Sequence, residues 1–162
     1  MTTKILIVLG AGGHTEQMLK IVRDLGNEQY KFEYITSNDD KVSKNRIKTP
    51  GKLYYILNPR KMTDKSLIIG ILKFIPSFIQ SFGVIFKARP KCIISCGPGV
   101  ALPVIIAGKI LGKKVIFLES WSRVYNKSLS GKIAYHFSDL FFVQWEELKQ
   151  KYPKAIYAGR LG

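Results

Sequence analysis

The sequence predicts an α/β protein, a Rossmann-like doubly wound parallel sheet with helices on both faces. Three observations predict it. Short apolar runs, greasy on both faces, alternate along the whole chain with stretches of helical spacing. Two of these runs end in glycine turns that open a helix, at Gly10-Ala11-Gly12-Gly13-His14 and at Gly97-Pro98-Gly99. The 162 residues, 46% of them hydrophobic, suffice for one core, and neither a repeat nor a low-complexity linker divides them, so residues 1–162 read as a single domain.

The first strand runs from Lys4 to Leu9. His14 to Leu25 is a helix whose inward stripe is Met18, Leu19, Ile21, Val22 and Leu25, and Gly26-Asn27 ends it. Phe32 to Thr36 is a second strand. Ser37 to Gly51 is polar and basic, with Lys41, Lys44, Arg46 and Lys48, and reads as a loop. Lys52 to Leu57 is a short strand, from which Asn58-Pro59-Arg60-Lys61 turns away. Beyond a long apolar stretch, Arg89-Pro90 resets the chain. Lys91 to Ser95 is then a buried strand, Val100 to Leu111 a helix closed by Gly112, and Lys114 to Leu118 a strand. Ser128 to Phe137 reads as a helix, Leu140 to Val143 as a strand, Trp145 to Tyr152 as a short helix and Ala155 to Ala158 as a last strand.

The charge is far from balanced. Twenty-six Lys and Arg against 11 Asp and Glu give +15, which implies an anionic partner: nucleic acid, acidic lipid or a phosphorylated substrate. Cys92 and Cys96 are too few and too far apart for a zinc ribbon and read as buried free thiols, so no metal site is expected. Met1-Thr2-Thr3-Lys4 leads straight into the first strand, so no signal peptide is expected.

Ser66 to Lys87 is apolar around most of its girth. Lys73, Gln80 and Pro76 argue against a spanning helix, and Pro76 predicts a kink or a new start. A helix lying in a lipid interface fits better, with Phe74, Phe78, Phe82 and Lys73 as contacts and Arg60, Lys61, Lys65, Lys87, Arg89 and Lys91 as a basic rim. The plainer alternative is a crossover helix packed on the sheet.

In such a sheet ligands gather beyond the carboxyl ends of the strands, where Gly10–His14, Ser37–Asp40, Gly97–Gly99 and Glu119–Arg123 meet. Glycines let backbone approach a ligand, and the first N–H groups of a helix favour phosphate. Thr15 stands where the full dinucleotide fingerprint would place Gly or Ala, so a dinucleotide is not expected. His14 and Glu119 are the titratable groups able to act as a base, and Arg123 offers a forked donor set to phosphate. Each also has a structural explanation: His14 as a helix cap, Glu119 as an ion-pair partner, Trp121 as packing. His136, at a helix end, reads as structural.

The blocks Ser95-Cys96-Gly97-Pro98-Gly99, Glu119-Ser120-Trp121-Ser122-Arg123-Val124, Phe141-Phe142-Val143-Gln144-Trp145 and Lys151-Tyr152-Pro153-Lys154-Ala155 resemble the membrane-anchoring subunit of the two-chain UDP-N-acetylglucosamine transferase of asparagine-linked glycosylation. Its bacterial relatives are PssD/CpsF-type exopolysaccharide and capsule proteins. Gly10-Ala11-Gly12-Gly13-His14-Thr15 matches that family's Gly-x-Gly-Gly-His-Thr, and the resemblance covers nearly the whole chain. It implies the amino-terminal, acceptor-holding half of an inverting GT-B glycosyltransferase, distantly like MurG. A PssE-like partner subunit would carry the UDP-sugar, so no cofactor is expected on this chain. The acceptor would be a polyprenyl-diphosphate-linked saccharide. Gly10, Gly12, Gly13, Thr15, Gly97, Gly99 and Arg123 would hold its diphosphate. His14 is then the candidate base, and Glu119 faces the cleft or the partner. The resemblance further implies inactivity of this chain alone, a peripheral place on the cytoplasmic face of the membrane, and a bacterial source.

Two other functions compete. One is a non-catalytic scaffold that brings the partner to the membrane. The other is nucleic-acid binding, which +15 suggests. It ranks low because the basic residues alternate with a greasy helix rather than with aromatics on strands.

Overall fold

A computed structural model describes residues 2–59 and 67–161. The basic residues Arg60, Lys61 and Lys65 of the expected rim lie outside the described residues. The strands are β1 (Thr3–Val8), β2 (Tyr30–Ser37), β3 (Leu53–Ile56), β4 (Cys92–Ser95), β5 (Lys114–Leu118), β6 (Leu140–Val143) and β7 (Ile156–Tyr157). They form one seven-stranded sheet in the order β3-β2-β1-β4-β5-β6-β7, and every pairing is parallel. The helices are α1 (Gly13–Leu25), α2 (Ser43–Arg46), α3 (Leu67–Ala88), α4 (Ala101–Ile110) and α5 (Leu129–Phe137), followed by a 3-10 turn at Glu146–Gln150.

β1 shows why the expected architecture forms. Leu6, Ile7, Val8 and Leu9 are all fully buried. Leu6 and Val8 join a core shared with α3, α4 and α5, while Ile5, Ile7 and Leu9 join a second core shared with Met18 and Val22 of α1. A strand flanked by cores must be apolar at every position. Each such side chain contributes roughly 1.5–3 kcal/mol on burial. The strand order reverses between β1 and β4, which pair with Val8 opposite Ser95. The loops leaving that switch point are the two glycine turns, and a ligand crevice belongs there.

Three differences from expectation have physical causes. The 37–51 segment contains α2, a single turn started by hydrogen bonds from the Val42 and Ser43 amides to Asp40 at 3.1 and 3.0 Å. The stretch after β6 makes a 3-10 turn rather than a longer helix. α3 runs unbroken past Pro76 instead of restarting there. The serines that suggested its polar side, Ser77 and Ser81, are buried. The Ser81 hydroxyl donates back to the Ser77 carbonyl at 2.8 Å.

Candidate functional site

The loop between β1 and α1 is built from behind. Thr15 is fully buried; its hydroxyl donates to the Gly10 carbonyl and lies 2.6 Å from Ser43 Oγ. Ser43 in turn is fixed by Asp40, which also accepts from Thr36 Oγ1 at 2.7 Å. Burial pushes the Asp40 carboxyl up, but hydrogen bonds from Ser43, Thr36 and Val42 outweigh it and hold the pKa below the usual aspartate value. The hydroxyl of Thr15 therefore braces the loop, which corrects its expected place among the diphosphate ligands. Gly10 has a packing role as well. It is buried, and a Cβ on it would stand 2.1 Å from Pro98 Cβ, so its bareness serves the packing of one glycine turn on the other.

Gly12 and Gly13 are exposed. Gly12 has φ 69° and ψ −126°, a conformation side chains resist, with open space around it. Gly13 opens α1, and a Cβ there would lie 3.5 Å from Trp121 Nε1. Arg46 reaches the same rim, donating from Nη1 to the Gly12 carbonyl at 3.4 Å and pairing with Glu16 at 3.6 Å. Exposed helix amides, an indole edge and a guanidinium thus converge on one spot.

His14 is half-buried beside the end of β4. The Cys96 thiol donates to the His14 carbonyl at 3.1 Å, and its sulfur lies 3.5 Å from Nδ1. Burial lowers the His14 pKa below its usual value; a hydrogen bond to the Cys96 backbone and the charge of Glu119 push back upward, and Arg123 pushes down. Neutral at neutral pH, the imidazole is in the form that accepts a proton. Burial pushes the Cys96 thiol far up, so it stays a thiol.

Gly97 has φ +92°, and its carbonyl accepts from Ser130 Oγ at 3.0 Å. Gly99 and Arg123 are exposed. Glu119 does not have the reach of a base. It is 1% exposed, and both of its oxygens are taken: Oε1 by the Ser120 amide at 3.0 Å, Oε2 by the Ser128 amide, the Ser128 hydroxyl and the Tyr152 hydroxyl at 3.3, 3.0 and 3.1 Å. Buried and already held by four hydrogen bonds, the carboxylate is out of a substrate's reach, which corrects its expected catalytic role. The salt bridges among the described residues do not include Glu119 with Arg123.

Sequence reasoning missed a buried amide bridge. Gln17 Oε1 accepts from the Trp121 amide at 3.1 Å and from Gln144 Nε2 at 2.6 Å; Gln144 Nε2 also donates to the Glu119 carbonyl at 3.0 Å. Trp145 Nε1 donates to the Trp121 carbonyl at 2.7 Å. The backbone of Trp121 is thereby held from both sides. Gln17 interrupts the apolar stripe of α1 one turn after Gly13, and that interruption was the available signal.

The residues expected to contact lipid are largely turned inward. Phe74 stacks on Phe78 at 5.9 Å and Phe78 meets Phe82 at 4.9 Å; Phe78 and Phe82 pack on the core and Phe74 is half-buried. Lys73 is half-buried. The outward apolar stripe consists instead of Leu72, Ile75, Ile79 and Phe86, from 54% to 64% exposed. Among the described residues no helix is long and apolar enough to cross a membrane.

A parallel sheet of this order, with its switch point between β1 and β4, is a Rossmann-like doubly wound α/β fold. The solved structure of MurG from Acinetobacter baumannii superposes with a TM-score of 0.73 at 12% identity, covering 98% of this chain and 44% of that one. The likeness is one of fold, and this chain spans less than half the length of MurG. The family model described as "Oligosaccharide biosynthesis protein Alg14 like" matches residues 5–161, and the chain belongs to that family. The human UDP-N-acetylglucosamine transferase subunit ALG14 is 35% identical, across 97% of this chain and 82% of that protein. The subunit of the same name from Candida albicans is 36% identical, across 98% and 78%. Both relatives are eukaryotic; the expected bacterial source and exopolysaccharide role draw no support from them.

Proposed function

We propose that this chain is the acceptor-binding and membrane-associating subunit of a two-chain, inverting GT-B glycosyltransferase. The reaction moves a sugar, N-acetylglucosamine by analogy with the relatives' names, from a UDP-sugar to a polyprenyl-diphosphate-linked saccharide. One observation carries the reading: exposed Gly12 and Gly13 at the start of α1 stand beside a half-buried His14 kept neutral by burial. The amides of that turn, with Gly97, Gly99, Arg123 and Arg46, hold the acceptor diphosphate. His14 Nε2 takes the proton of the attacking hydroxyl while its oxygen bonds to the sugar's anomeric carbon and the bond to UDP breaks.

Two surfaces support the remaining parts. The α3 stripe, within a chain of charge +15, suits the anionic cytoplasmic leaflet, where the acceptor's lipid would lie. On the α1 side of the sheet a cavity of about 520 Å³ is lined by Ile94, Ile116, Leu118 and Phe142. Parallel sheets are normally covered on both faces, and the catalytic, UDP-sugar-binding subunit is the occupant assigned to this one. A PssE-like partner belongs to the same reading.

The test is reconstitution with the co-purifying partner, a UDP-sugar and a polyprenyl-diphosphate acceptor. The expected result is no transfer by this chain alone, transfer by the pair, and a loss of about 100-fold or more in His14→Ala, as removal of a general base predicts. Transfer by this chain alone refutes the two-chain reading. Full activity in the pair with both His14→Ala and Gly13→Val leaves the scaffold alternative in its place.

A further inference from the structure

We propose that Cys96 is a positioning residue: its thiol selects the imidazole tautomer of His14 that carries hydrogen on Nδ1 and leaves Nε2 bare. The tautomer half of this inference stands on contact geometry; its catalytic half rests on the proposed function.

Cys96 directly follows β4 and is fully buried in the core that also holds Ile7, Leu9 and Met18. A thiol is small and apolar enough for that place, yet it still carries one weak donor and can accept weakly. Both capacities are spent on one neighbour. The sulfur lies 3.1 Å from the His14 carbonyl oxygen and 3.5 Å from His14 Nδ1. Burial pushes the thiol pKa far up, so its single proton is present at neutral pH and must point one way or the other.

The carbonyl decides which way. A carbonyl oxygen can only accept, and sulfur and oxygen at 3.1 Å with no hydrogen between them would set lone pair against lone pair. The thiol hydrogen therefore points at the carbonyl. The sulfur then faces Nδ1 with a lone pair, and that contact becomes a hydrogen bond only if Nδ1 brings the hydrogen. In a neutral imidazole one nitrogen donates and the other accepts, so hydrogen on Nδ1 leaves the accepting lone pair on Nε2.

In water a neutral imidazole prefers the opposite form, with hydrogen on Nε2, and that form cannot take a proton there. The sulfur contact removes this mismatch. During transfer the acceptor's O–H bond breaks and its proton passes to Nε2. The ring is then a cation still bonded to the sulfur through Nδ1–H. Loss of the Nε2 proton to solvent restores the starting tautomer, and the thiol keeps its own hydrogen throughout.

The tautomer is read by NMR from the two ring-nitrogen shifts of His14 in the isolated chain, at about pH 8 where the imidazole is neutral. The chain contains two histidines, and His136→Gln assigns the other. In the wild type the hydrogen is expected on Nδ1; finding it on Nε2 overturns the inference without any variant. Cys96→Ala removes both sulfur contacts and should raise the Nε2–H fraction several-fold. Cys96→Ser keeps one hydrogen and its lone pairs, so it should retain more of the Nδ1–H form than Cys96→Ala, even though a hydroxyl in that core weakens the fold more than a methyl does. A thiol that only fills space predicts one tautomer in all three proteins. That result, including retention of Nδ1–H in Cys96→Ala through the ring's bond to the Cys96 main chain, overturns the inference. In the reconstituted pair kcat should fall in step with the Nδ1–H fraction, with the acceptor KM little changed. A shifted tautomer with unchanged kcat, in a pair that His14→Ala inactivates, overturns the catalytic half. A pair fully active with His14→Ala overturns the base role in the proposed function and leaves the tautomer assignment standing.

Discussion

Replacing Thr15 by Val keeps the shape of the side chain and deletes the hydroxyl. In the structure that hydroxyl is fully buried, donates to the Gly10 carbonyl and meets Ser43 Oγ at 2.6 Å. Its loss leaves two buried polar groups without their partner. Each such group costs about 1–3 kcal/mol, so T15V is expected to lose roughly 2–6 kcal/mol. For a domain of this size that is a fall in Tm of roughly 4–24 °C. Thr15→Ser retains the hydroxyl and should recover most of the loss. The assay is thermal or urea unfolding of the isolated chain, joined to diphosphate binding at a temperature where both variants remain folded. Wild-type stability in T15V, with weakened binding of farnesyl diphosphate, would show that the hydroxyl serves the ligand and not the loop, refuting the reasoning.

Further outcomes follow from other parts of the molecule. Gly10→Ala drives a Cβ into Pro98, 2.1 Å away, and should cost about 1–3 kcal/mol by urea unfolding; an unchanged midpoint would show that the two turns do not press together. Gly12→Ala meets nothing within 4 Å, so its penalty, about 1–2 kcal/mol, comes from φ +69° alone and would persist in Gly12→Ser. Changing Leu72, Ile75 and Ile79 together to Ser should reduce sedimentation with anionic vesicles several-fold and leave Tm within a few degrees, whereas Phe78→Ser should lower Tm; the reverse pattern would restore the aromatic residues as the lipid face. The pKa of Asp40 is lower folded than unfolded, so its contribution is present above the unfolded aspartate value and is lost as pH falls through the folded one. Asp40→Asn should therefore cost stability at pH 7 and progressively less below pH 4, measured by urea midpoints across pH.

The sheet was legible because the buried parts of β1 and β4, Ile5–Val8 and Ile93-Ile94, carry unbroken apolar runs, a pattern that half-buried strands do not show. The glycine turns were legible for the same local reason, since each follows such a run and opens a helix. What the chain did not show was which polar atoms face inward. Thr15 and Glu119 are chemically suited to a ligand, and only the packed structure shows their oxygens already engaged by Ser43, Ser128 and Tyr152. Arg46 lies 34 residues from Gly12 in sequence and looked like one basic loop residue among several. In α3 the apolar residues surround the helix, so periodicity gave no direction; the buried side carries Ser77 and Ser81, which hydropathy places outside.

The central claim is that the amides of Gly12, Gly13 and His14 grip a lipid diphosphate. It is tested most directly by following backbone amide resonances of the isolated chain during titration with farnesyl diphosphate. Saturable shifts centred on Gly12, Gly13, His14, Gly97 and Gly99, reproduced by inorganic pyrophosphate and absent with farnesol, are the expected result. Saturating shifts centred elsewhere, or none at those amides while the chain remains folded, would contradict it.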